Sequence, residues 1–194
     1  MNRSFIVLHG LGGSGSEHWQ SWLYKELLDA GENVYYPTLP DFDNPHKDKW
    51  LQTLEETFQT ISSDNITVVA HSLGCILWLH FVLKHGKKLK NTVTRVILVA
   101  PPSPYLKHDL IQRFFPLPVK GKEIIQSCND TIQIQSTNDP YCSVEDSQFF
   151  KDLGIKQLLV VNKGHINIDS GFGEWHWILN YCLDQNTEVA LKEG

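Results

Sequence analysis

Four short aliphatic runs, FIVL, ITVVA, VILVA and LLVV, recur along the chain with longer helical patterns between them. A strand that is apolar at consecutive positions is covered on both faces, and strands of that kind belong to parallel sheets with helices packed above and below. The runs place strands at Ser4–His9, Asn33–Pro37, Ile66–Ala70, Val93–Ala100, Thr131–Ser136 and Gln157–Asn162. Helices are expected near His18–Ala30, Pro45–Ile61, Leu73–His85, Ser143–Leu153 and Gly173–Gln185. This alternation predicts a three-layer α/β/α sandwich around a mainly parallel, roughly six-stranded sheet.

A length of 194 residues predicts a single domain over 1–194. The net charge of −5, without a block of like charges, argues against a nucleic-acid or anionic-membrane partner. The basic stretch Lys84-His85-Gly86-Lys87-Lys88 reads as a helix end and its loop. No signal-peptide layout opens the sequence and no apolar stretch is long enough to span a bilayer, so the expected location is cytoplasmic. Cys75, Cys128, Cys142 and Cys182 form no C-x-x-C pair, and the nine histidines form no H-x-x-x-H set. Free thiols, no metal and no cofactor are expected.

In an open parallel sheet, ligands sit beyond the carboxyl ends of the strands, so the residues after each strand are read for chemistry. After the third strand, Ala70-His71-Ser72-Leu73-Gly74 is G-x-S-x-G with alanine in the first glycine position. Such an elbow presents its apex side chain, Ser72, at the top of the sheet. His71 then points away from the pocket, and Cys75 behaves as a small hydrophobe on a buried helix. After the fifth strand, Asp139-Pro140 supplies an acid able to orient a histidine. After the sixth, His165 completes the order Ser…Asp…His. His18 and His176 lie beside tryptophans and are expected to pack.

After the first strand, Gly10 to Gly15 fits G-x-G-x-x-G. Three readings stand. The turn is an oxyanion loop offering the backbone N–H of Leu11 or Gly12, a dinucleotide fingerprint, or a tight turn that needs glycine. The second strand has no acid at its end to hold a ribose. In the oxyanion reading, the Leu73 N–H is the second donor, and His9 braces the turn.

The chain resembles the α/β-hydrolase superfamily, and within it the small serine hydrolases that include the retinoblastoma-binding hydrolase and its bacterial relatives. The likeness lies in the His-Gly turn followed by His18-Trp19, the elbow AHSLG, the segment Asn138-Asp139-Pro140-Tyr141-Cys142 and GHINIDSGFGEW from Gly164 to Trp175. The resemblance implies Ser72 as nucleophile, Asp139 as acid and His165 as base. It implies hydrolysis of an ester, thioester or amide of a small molecule through an acyl-enzyme. The alternative is a binding protein that kept the fold. Retinoblastoma binding is not expected, because L-x-C-x-E is absent; the nearest stretch is Leu73-Gly74-Cys75-Ile76-Leu77. The long connection from Pro101 to Asp130 is either a lid over the pocket or a surface excursion, and the shape of the pocket depends on Pro101–Pro118. Phe114, Phe115, Tyr105, Tyr141 and Trp175 either shape the pocket, giving it a partly apolar acyl site, or belong to the core.

Overall fold

The computed structural model describes residues 3–183 except 118–120, 122–123, 125–126 and 129. Six parallel strands form one sheet: β1 (Ser4–Leu8), β2 (Asn33–Tyr35), β3 (Ile66–His71), β4 (Val93–Val99), β5 (Thr131–Ser136) and β6 (Lys156–Val160). Their order is β2-β1-β3-β4-β5-β6. The α-helices described over their full length are α1 (Trp19–Asp29), α2 (Lys47–Gln59), α3 (Leu73–Leu89), α4 (Val144–Asp152) and α5 (His176–Leu183).

Alternate side chains of the central strands feed two cores, as the period of a strand requires. Ile6, Leu8, Val68, Ala70, Val96 and Leu98 pack with α2, α3 and Phe150 of α4. Phe5, Val69, Ile97, Val99, Ile132 and Ile134 pack with α1 and α5. The predicted three layers are therefore present, with the runs in β1, β3 and β4 covered on both sides.

Three expectations change. The LLVV run lies at β6, where Leu159 is exposed, because β6 is the edge strand of the sheet among the described residues. The second strand stops at Tyr35, before Pro37, consistent with an edge position and a residue that donates no hydrogen bond. The helix expected to end at His85 continues through Gly86 to Leu89. Its last turns are held by the buried Leu89 and by Glu55 of α2, which receives Lys84 Nζ at 2.5 Å and His85 Nε2 at 2.9 Å.

Among the described residues, no helix is long and apolar enough to cross a membrane. The polar tail Asn186–Gly194 lies outside the described residues, as do Pro118 and the expected last two residues of the final helix.

Candidate active site

β3 runs at the centre of the sheet and ends at His71, so the next residue must turn sharply to enter α3. Ser72 takes φ 53° and ψ −124°, a backbone strain of about 1–3 kcal/mol. Its N–H is tied to Val99 O of β4 at 2.9 Å. Gly74 makes the turn possible: a Cβ there would lie 2.6 Å from both Leu8 O and His9 O. Ala70 presents no such conflict. Its methyl is fully buried in the α3-side core, so the alanine fills space rather than obstructing the elbow.

Asp139 lies in the turn after β5, beyond Thr137 and Asn138, and its side chain is fully buried. One carboxylate oxygen accepts the Tyr141 N–H at 2.9 Å, closing the Asp-Pro turn. The other accepts Gln135 Nε2 at 3.1 Å. Behind Gln135 stands a relay of amides: Gln133 Nε2 donates to Gln135 Oε1, and Gln157 Nε2 of β6 donates to Gln133 Oε1, each at 3.2 Å. The sequence reading missed this relay. Its signal was present in TIQIQS, where two glutamines two residues apart face the same way on one strand.

His165 lies in the loop after β6. Asn138 Oδ1 receives the Gly164 N–H at 2.7 Å, and Ser170 Oγ receives the His165 N–H at 3.1 Å. The loop brings His165 Nδ1 to 3.0 and 3.1 Å from the Asp139 carboxylate, and Nε2 to 3.0 Å from Ser72 Oγ. Three residues far apart in sequence thus form one hydrogen-bonded chain.

The first glycine turn packs directly on this elbow. A Cβ on Gly10 would sit 2.8 Å from Ser72 Cβ and 3.2 Å from Leu73 N. The Gly12 N–H is already donated to Phe42 O at 3.0 Å, whereas the Leu11 N–H is paired with no acceptor among the described residues. Leu73 opens α3, where helix geometry leaves its N–H without an intrahelical partner. His9 braces the turn from below. It accepts the Leu39 N–H on Nε2 at 3.1 Å, so Nδ1 carries the proton and donates to Gly10 O at 2.9 Å. Burial lowers the pKa of His9, in keeping with that neutral form. Asp41, the first acid after β2, pairs with Lys49 at 2.9 Å instead of facing the glycine turn.

A cavity of about 190 Å³ opens over Ser72. Leu11, Leu73, Pro102, Leu106, Ile111 and Tyr141 give it an apolar side, and His18, His108 and Asn167 a polar one. Among the described residues, no Lys, Arg, Asp or Glu occurs in its lining. Pro102, Leu106, His108 and Ile111 of the connection after β4 form one wall of the cavity. Its 3-10 segment, Asp109–Phe114, is anchored by buried Phe114, whose carbonyl oxygen receives His80 Nε2 at 2.8 Å. Of the five candidate aromatics, only Tyr141 lines the cavity. Phe114 is core, Tyr105 is exposed, and Trp175 packs edge-on against Trp19 with centroids 5.2 Å apart.

Two histidines depart from the expected picture. His71 is buried, as a packing residue should be, yet it lines the cavity floor and its ring lies 5.0 Å from that of His165. His18 caps α1 by accepting the Gln20 N–H, and its ring lies 5.1 Å from His71 on the same floor. Burial first, then the nearby His165 and His9, lowers the His18 pKa to about 4. His176 is exposed and meets Trp22 edge-on. Cys75 is fully buried, as expected, and burial pushes its thiol well above the usual range. Among the described residues, no three His, Cys, Asp or Glu side chains are placed to hold a metal ion.

A family model described as serine hydrolase matches residues 5–183. The chain is 32% identical to YdeN of Bacillus subtilis, a protein named as a hydrolase, over 89% of this chain and 90% of that protein. It is 24% identical to the serine hydrolase RBBP9 of Rattus norvegicus over 84% of this chain and 86% of that one. The crystal structure of YdeN superposes with a TM-score of 0.75 over 94% of this chain and 97% of that chain. A YdeN-like hydrolase from Pectobacterium atrosepticum gives 0.70 over 93% of this chain and 88% of that chain.

Proposed function

The chain belongs to the serine hydrolase family, and we propose that it cleaves a small, uncharged ester, thioester or amide by acyl transfer through Ser72. The observation that carries this reading is the chain from Ser72 Oγ through His165 to Asp139, with both links at about 3 Å and the serine facing a cavity.

In the proposed reaction, His165 Nε2 takes the Ser72 proton as Oγ attacks the carbonyl carbon. Asp139 holds Nδ1–H and stabilises the imidazolium. The oxyanion is received by the N–H groups of Leu11 and Leu73. His165 then protonates the departing alcohol, thiol or amine, and water repeats the sequence on the acyl-enzyme. A lining in which no Lys, Arg, Asp or Glu occurs among the described residues disfavours a charged acyl group, which would lose its hydration without a partner. The cavity lies below the roughly 300–1,000 Å³ common for drug-sized ligands, which favours a short acyl chain.

The test is turnover of a p-nitrophenyl ester series. Short, neutral acyl groups should lead, and Ser72→Ala should lose about 10⁴ to 10⁶ in kcat with its thermal melt retained. Wild-type turnover by the alanine variant would end the proposal.

A further inference from the structure

His165 reaches Ser72 and Asp139 only because its loop takes an unfavourable shape. Ile166, the next residue, is fully buried and has φ 50°, the left-handed region that a β-branched side chain avoids. Such a conformation persists only where the surroundings over-determine it. The N–H groups of the loop are tied to polar partners: Gly164 to Asn138 Oδ1, His165 to Ser170 Oγ, and Ile166 to Lys163 O at 3.1 Å. Its two consecutive carbonyls turn the other way, into the layer between the sheet and α1. There Trp19 Nε1 donates to Ile166 O at 2.8 Å, and His71 Nε2 meets His165 O at 3.0 Å. A carbonyl only accepts, so His71 carries its proton on Nε2. The two donor rings pack edge-on with centroids 5.7 Å apart.

We propose that Trp19 and His71 are positioning residues for His165: their ring N–H groups hold the carbonyls of residues 165 and 166 and so keep the imidazole aimed at Ser72 and Asp139. The inference rests on the proposed roles of Ser72 and His165. It assigns a purpose to the residue beside the nucleophile. β3 ends at His71 and Ser72 follows it, so one strand end delivers the serine to the cavity and, through the preceding side chain, fixes the loop of its partner. Losing either donor leaves a buried carbonyl unpaired in a loop already strained, and small displacements of a reacting group have large effects on rate. Burial keeps the His71 pKa well below the ordinary histidine value. A neutral ring therefore lies beside His165 when that residue takes up a proton, and His18 behind it is neutral for the same reason.

The test compares Trp19→Phe, His71→Asn and His71→Gln with wild type on p-nitrophenyl acetate, with thermal melts and Ser72→Ala run alongside. Trp19→Phe keeps a ring and loses the donor. Glutamine reaches the place of Nε2 with an N–H, and asparagine falls short of it. Trp19→Phe and His71→Asn should lose about 10- to 100-fold in kcat with KM within about twofold. His71→Gln should recover to within about threefold of wild type. In the ¹⁵N spectrum of unaltered protein at neutral pH, His71 should be the neutral Nε2–H form, a readout that needs no variant to fold. Wild-type kcat in Trp19→Phe, equal losses in the two amide variants, or an Nδ1–H tautomer at His71 would each overturn the clamp. Activity surviving in Ser72→Ala would instead remove the nucleophile reading on which it stands.

Discussion

Replacing Gly10 with alanine isolates the proposed oxyanion site from the rest of the fold. Gly10 needs no glycine conformation, since its φ is not positive, so the backbone accepts a side chain. The added methyl is what conflicts. It would sit 2.8 Å from Ser72 Cβ, 3.1 Å from Ser72 Oγ and 3.2 Å from Leu73 N. These neighbours are backbone or the first atoms of a side chain at a strained turn, so relief requires the two loops to move apart. That movement, or the methyl itself, takes the Leu73 N–H away from the oxyanion. Loss of one such donor costs about 10² to 10³ in kcat. Overpacking adds a stability loss of about 1–3 kcal/mol. Gly15→Ala is the matched control, because nothing lies within 4 Å of its added Cβ. Steady-state kinetics and urea unfolding on both variants read the two effects separately. Gly10→Ala should fall at least 100-fold in kcat while Gly15→Ala stays near wild type. A Gly10→Ala enzyme within a fewfold of wild type would refute the placement of the oxyanion donors.

Gln135→Leu removes one donor from the Asp139 carboxylate and leaves Gln133 Nε2 without its acceptor. Urea unfolding should show a loss of about 1–3 kcal/mol, with kcat down about tenfold; unchanged kinetics in a folded variant would contradict a role for the relay. Burial lowers the pKa of His9, His18, His71 and His80 in the folded chain. The unfolded chain therefore binds more protons below about pH 6.5, so these residues favour folding fully above that pH and lose stability as pH falls. Unfolding free energy should decline from pH 7 towards 4, by up to about 1.4 kcal/mol per pH unit for each histidine. A flat profile between pH 6.5 and 5 would show that these rings are not held neutral.

The layers and the order of chemical residues were legible in the sequence for one reason. In a parallel sheet each loop after a strand opens on the same edge, so Ser72, Asp139 and His165 converge once the strands are placed. The segment that walls the cavity, within Pro101–Pro118, was legible, but the side chains that line it were not. Leu106, His108 and Ile111 lie in a connection without a hydrophobic period, and its anchor, Phe114 against α3, is a tertiary contact. The aromatics stayed open between pocket and core because bulk alone does not distinguish a core ring from a pocket ring. LLVV read as a buried strand because an apolar run does not reveal that its strand is the last in the sheet. His71 was assigned to packing because the elbow pattern directs attention to the apex side chain. The floor beneath the apex depends on where the His165 loop turns its carbonyls.

The central claim is that Ser72 becomes acylated. Mass mapping of the protein after reaction with a fluorophosphonate tests this directly. The predicted result is a single stoichiometric adduct on Ser72, with buried Cys75 three residues away unmodified and no adduct in Ser72→Ala. An adduct on any other residue, or none at all in folded wild-type protein, would contradict the account.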